Sequence, residues 1–319
     1  MYNKNLLFIL LLIAGACTKQ PNTNVLRPLS ETNTDEEAFE ISLDSIKNLK
    51  TGNLDECLNI SIPNEPNEVC LDTVFSSYKF IPLQTTEKSI IGRIEKILVC
   101  DDCFCILDRD NSNVFLFEKD GRFRCRLGEK GHGPGEHLDA WNVAYDKDNK
   151  EIVLLDLTGR KLMHYNLKGK LQRVESLFYL YTALEYQKDK MIIYTGTAYN
   201  AFSDILDLNQ LIIADRNQNP KACGYKTSEF MRREFFYASI LKKCGDEIIY
   251  DDMLSDTLWC ISNFEKYPLA VVNFEKSPRF SNEEKMRMTG KLFEERNNQV
   301  GSVNNWQISS NYIYLIVRT

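Results

Sequence analysis

Four short apolar runs recur along this chain at nearly equal intervals: Val114–Phe117 (VFLF), Leu162–Tyr165 (LMHY), Leu211–Ala214 (LIIA) and Leu258–Ile261 (LWCI). The first two begin 48 residues apart, and an Asp stands six residues before each, Asp108 and Asp156. Thirteen residues after each Asp lies a Gly, Gly121 and Gly169, in the turns KDGRF and LKGKL. Asp252 precedes the fourth run at the same offset, and Asp204 precedes the third one residue out of register. Runs of this length, rich in β-branched and aromatic residues and bounded by Asp, Asn, Gly and Lys, read as strands. Phe104–Asp108, Ile152–Asp156, Met191–Tyr194 and Ile248–Tyr250 supply further ones. A period near 48 with several strands per unit is the scale of a β-propeller blade. A blade cannot bury both faces alone, so several must pack together. The competing arrangement is a β-sandwich with coincidental spacing.

Composition fits this. The chain has 319 residues, 43% apolar and 26% charged, with 39 Lys plus Arg against 45 Asp plus Glu. That excludes collagenous, wholly disordered and multi-span membrane classes. A net charge of −6 argues against nucleic acid as a partner, because phosphate binding needs clustered cations. Length alone allows two domains or one large all-β domain, and the period favours one, over residues 41–319.

The first residues carry an address. Lys4 precedes a nine-residue apolar core, Leu6–Ala14, too short to span a bilayer, followed by Gly15, Ala16 and Cys17. Residues 1–16 read as a signal peptide. A Cys just after small residues resembles a bacterial lipoprotein signal, which implies lipidation of Cys17 and membrane attachment through that lipid. Residues 17–40 read as the lipidated N-terminus and a polar tether. The absence of Asp after Cys17 favours the outer membrane, on either its periplasmic or its surface side.

The segment KDGRFRCRLGEKGHGPGEHLDAWNVAYDKDNKEIVLLD carries a second resemblance. With Gly131, Gly133, Pro134, Gly135 and Glu136, it is similar to the NHL-like six-bladed β-propeller lipoproteins of Gram-negative gut bacteria. Tyr78–Thr86 and Ile90–Gly92 resemble that family's approach to the first blade. The resemblance covers about residues 55–319 and implies an all-β, six-bladed propeller. It is uninformative about activity.

One departure stands out. Ser281–Asn297 carries a capping-box pattern, Ser281 with Glu284, and helical apolar spacings, so it reads as a short inserted helix that delays the fifth unit. Trp306–Val317 resembles the start of that unit, so the chain reads as short by about one blade, with its last blades truncated.

Residues able to do chemistry are few. His132, Glu136 and His137 share the Gly-rich connection and form a metal candidate, with loop residues on a glycine turn as the simpler alternative. His164 reads as a packing residue within its strand. No phosphate loop or nucleophile elbow is present, and Asp101–Asp102 and Asp251–Asp252 read as turn carboxylates. Nine cysteines besides Cys17 cannot all pair. Cys100 and Cys103 flank a two-residue turn at disulfide range, while Cys105 joins Cys103 on one sheet face. A disulfide, a thiolate metal site and buried reduced thiols all remain open. The expectation is a cell-envelope module binding a peptide, a glycan or an envelope protein, without cofactor. The alternative is a lyase or hydrolase with its site at the central channel, and the scarcity of His counts against it.

Overall fold

The computed structural model describes residues 23–26, 39–42, 45–52, 57–62, 76–77, 79–196, 198, 200, 203–226, 241–251, 257–274, 287, 302–308 and 313–318. The anticipated signal peptide, Cys17 and the anticipated helix over 281–297, save residue 287, lie outside them. Five short strands come first: β1 (Thr23–Leu26), β2 (Phe39–Ser42), β3 (Lys47–Asn48), β4 (Lys50–Thr51) and β5 (Leu58–Ile62). The first two pair antiparallel with each other, inside and beside the stretch read as a tether.

Four blades follow. The first is β6 (Ile94–Val99), β7 (Cys103–Asp108), β8 (Asn113–Glu118) and β9 (Phe123–Arg126). The second is β10 (Ala140–Asp146), β11 (Glu151–Asp156), β12 (Lys161–Asn166) and β13 (Leu171–Ser176). The third is β14 (Ala183–Gln187), β15 (Lys190–Tyr194), β16 (Asn209–Asp215) and β17 (Pro220–Lys226). The fourth is β18 (Leu241–Cys244), β19 (Glu247–Asp251), β20 (Thr257–Ser262) and β21 (Glu265–Phe274). Each is an antiparallel meander in chain order. The four apolar runs are the third strands β8, β12, β16 and β20, as their spacing predicts. A last pair, β22 (Ser302–Ile308) and β23 (Ile313–Arg318), forms a separate two-stranded sheet.

The fold is all-β with a propeller arrangement, and the described residues hold four blades rather than six. The reason lies in how the chain is used. Among the described residues before 94 none forms a blade, and β3, β4 and β5 run along the outer edges of later ones. β3 pairs parallel with β17, and β4 and β5 pair parallel with β21, adding outer strands to the third and fourth blades. The one described helix, α1 (Asp204–Leu208), sits between β15 and β16 and is capped by the Ser203 side chain, which accepts from the Leu206 amide.

The middle strands are continuous apolar runs because both of their faces are covered, so strand alternation is lost. Ile152, Val153, Leu154 and Leu155 are all fully buried. Ile152 and Leu154 face the first blade with Leu107, Leu116 and Val143, while Val153 and Leu155 face the third with Leu184, Met191 and Ile193. Each such aliphatic side chain contributes about 1.5–3 kcal/mol relative to exposure. A further core joins the third and fourth blades through Ile192, Ile213, Ile248 and Trp259. The outer face of the first blade packs Phe115 and Phe117 against Leu83, Ile91 and Phe123. Successive first strands touch: β6 with β10, β10 with β14, and β14 with β18. They are the innermost strands of the propeller.

Candidate functional site

Asp108 and Asp156 are structural. Asp108 ends β7, and its carboxylate accepts from the Gly92 amide (3.0 Å), the Arg93 amide (2.9 Å) and Asn111 Nδ2 (2.7 Å). Asp156 ends β11 and accepts from the amides of Leu138 (2.9 Å), Asp139 (3.0 Å) and Gly159 (2.8 Å). Each carboxylate therefore ties the start of its blade's first strand to the turn after its second. Burial disfavours ionisation of Asp108, but these N–H donors outweigh it and hold the carboxyl below its usual range. Asp204 does not continue the series. It lies in α1, because the β15–β16 connection carries that helix instead of a short turn. Asp251 ends β19, and Asp252 falls outside the described residues.

The Gly-rich connection between the first two blades is likewise architectural. His137 is buried, and its Nε2 lies 2.9 Å from the Ser112 carbonyl on the preceding blade's β7–β8 turn. His132 is exposed. Glu136 folds back on its own loop, its Oε2 accepting from the Gly133 amide at 2.7 Å. A side chain at Gly131 would collide with that carboxylate. The three metal candidates thus point to three different surroundings. Among the described residues no group of three or more His, Cys, Asp or Glu has metal-binding geometry. His164 is buried as expected, but between two carboxylates, with Nδ1 3.3 Å from Glu151 and Nε2 3.3 Å from Glu175. Arg173 completes that cluster by pairing with both glutamates.

Cys100 and Cys103 do sit opposite each other. The Cys100 amide donates to the Cys103 carbonyl at 3.0 Å across the exposed Asp101–Asp102 turn. Both are unbonded thiols in this structure. The neighbouring Cys100 thiol and the nearby Arg124 guanidinium hold Cys103 below the usual thiol range despite burial. The Cys103 thiol beside it, burial and Cys105 push Cys100 up. Cys105 and Cys125 lie on the same face, each opposite Leu116, and burial pushes both up.

A different cluster occupies the innermost strands. Lys96 on β6 reaches past the second blade to Glu185 on β14, with Nζ 2.6 Å from Oε1. The two side chains are only 11% and 1% exposed. Neither Glu185 oxygen has a well-directed hydrogen bond among the described residues. On the fourth blade's β18, burial pushes the Lys242 ammonium down to about 8; Asp251 opposes this shift and Lys96 reinforces it. Three innermost strands from three blades therefore bring two lysines and a buried carboxylate into one electrostatic field. Asn142 on β10 adds a cross-blade contact, its Oδ1 accepting from the Leu184 amide at 3.4 Å. Sequence reasoning missed this group. Its signal was a charge inside otherwise apolar strands, as in ALEYQ and IEKILV.

Comparison with known proteins places the chain. The family described as Domain of unknown function (DUF4934) matches residues 56–319. The chain belongs to that family. The crystal structure of a candidate exported protein from Bacteroides fragilis NCTC 9343 is 18% identical, with a TM-score of 0.66 over 82% of this chain and 74% of that one. This likeness supports the propeller fold. A DUF4221 member from Bacteroides vulgatus is 10% identical, with a TM-score of 0.41 over 60% of this chain and 61% of that one. No curated protein matches. No helix among the described residues is long and apolar enough to cross a membrane.

Proposed function

We propose that this DUF4934 chain is an exported binding module, held at the outer membrane through lipidated Cys17, whose ligand docks at the innermost strands over Lys96, Glu185 and Lys242. The observation that carries the reading is the buried Lys96–Glu185 pair. Desolvating two charges costs several kcal/mol per ion, and a pair that leaves carboxylate lone pairs without good donors recovers it poorly. A ligand offering N–H or O–H donors, such as a peptide or a glycan, would supply them. Export is supported by the apolar leader before Cys17 and by the similarity to a candidate exported protein.

Binding to peptide and glycan arrays tests the site, with circular dichroism as the check on folding. Glu185→Gln and Lys242→Met should each weaken a wild-type hit by about tenfold, the loss of one hydrogen bond to a charged group. Hits of unchanged strength in both folded variants would refute it. Labelling with a fatty acid should mark the wild type and spare Cys17→Ala; equal labelling would end the lipid assignment.

A further inference from the structure

We propose that Cys100 and Cys103 are a reversible dithiol that small-molecule disulfides oxidise to an intrachain disulfide, with Cys103 as the attacking sulfur and Cys100 as the resolving one. The geometry carries this. The sequence Cys100-Asp101-Asp102-Cys103 forms the two-residue turn between β6 and β7 and sets the two cysteines directly opposite each other. Directly opposed antiparallel positions lie within the Cα range that a disulfide spans. The Cys100 amide already donates to the Cys103 carbonyl, so closing the S–S bond needs a side-chain approach and no rearrangement of strands.

The surroundings distinguish the two sulfurs. Arg124 on β9 crosses to this turn, donating to Asp102 Oδ1 (3.3 Å) and to the Asp102 carbonyl (3.2 Å). Its charge favours a thiolate at Cys103. Lys119 donates to the Cys100 carbonyl at 2.7 Å and fixes the other side of the turn. Cys100 and Cys103 are 3% and 0% exposed. Their burial beneath a surface turn lets a reagent reach the pair only when the turn opens, which disfavours progress to sulfinic acid.

Cys103 loses a proton to solvent, and its thiolate attacks one sulfur of a disulfide RSSR. That S–S bond breaks, and RS⁻ departs and takes up a proton. A mixed disulfide now links Cys103 to the second R group. Cys100 loses its proton and attacks the Cys103 sulfur, expelling the second RS⁻, which is protonated in turn. Two protein thiols are oxidised, and one RSSR is reduced to two RSH. Reduced thiol in excess runs the sequence backwards. The proposal is independent of the ligand site above.

The test uses the folded full chain and oxidised glutathione, with acid quenching, alkylation in denaturant and peptide mass mapping. The wild type should gain a Cys100–Cys103 disulfide that dithiothreitol removes. Cys100→Ser should accumulate glutathione on Cys103 at least about tenfold faster than Cys103→Ser accumulates it on Cys100. Circular dichroism checks that each variant retains the fold. Wild-type protein in which both cysteines stay alkylatable would overturn the pair. Adducts forming equally fast at both positions, or first on the half-exposed Cys125, would overturn the assignment of the attacking sulfur.

Discussion

The first two blades show a turn carboxylate tying each of them, and the last two carry borrowed outer strands. In the first and second, a buried carboxylate at the end of the second strand gathers backbone N–H groups from the approach to the first strand, through Asp108 and Asp156. In the third and fourth, the N-terminal segment lies parallel along the outer edge as β3, β4 and β5. At the third blade's equivalent place stands Tyr194, opposite Ala183, and the next residue, Thr195, donates its hydroxyl to the Asn209 carbonyl at 2.9 Å. The first mechanism is local and written in the repeat. The second depends on a segment well over a hundred residues away in sequence. One architecture can therefore be secured by a turn carboxylate or by a borrowed strand.

The comparison breaks most sharply at Asp156. Asp156→Ala strands three buried amide donors, and denaturant unfolding should show a loss of about 3 kcal/mol or more. Hydrogen exchange should quicken first at Leu138 and Asp139. Leu49 anchors the borrowed segment in the core between the third and fourth blades. Leu49→Ala should cost about 2 kcal/mol, with faster exchange confined to β17 and β21. Slowest exchange lost in the first blade would contradict the division. Acid provides a third contrast. The Asp108 carboxyl is depressed when folded, so its contribution is present above the ordinary carboxylate range and fades as pH falls through its folded value. Asp108→Asn should flatten the acid limb of the stability curve, an outcome a pH titration of the melting temperature checks. The smallest effect belongs to Lys242. Its depressed value means the unfolded chain binds more protons between about pH 8 and the ordinary lysine value, so stability rises with pH there. Lys242→Met should stabilise by about 1 kcal/mol at pH 7 and by less at pH 10.

The same contrast explains what could be read in advance. Third strands such as Leu162–Tyr165 were legible because covered faces demand unbroken apolar runs. The turns at Gly121 and Gly169 were legible because both adopt positive φ, 92° and 80°. The Cys100–Cys103 juxtaposition followed from a two-residue hairpin. The edge strands were not legible: Lys47–Asn48 and Lys50–Thr51 are two polar residues each, and their partners are distant in sequence. Asp204 misled because a coincidental offset imitates the repeat, whereas α1 fills that connection. The charged group on the innermost strands was hidden for the same reason as the edges. Lys96, Glu185 and Lys242 come from different blades, and only the stacking of β6, β10, β14 and β18 brings them together.

That convergence is the foundation of the functional reading, and the Lys242 ammonium reports on it directly. A pH titration of lysine side-chain carbon resonances by NMR should place Lys242 near 8 in the wild type. Lys96→Met removes a facing positive charge from the first blade and should move Lys242 upward. A Lys242 that titrates near the ordinary lysine value of about 10.4, and does not respond to Lys96→Met, would show that the first and fourth blades do not meet at a common charged centre.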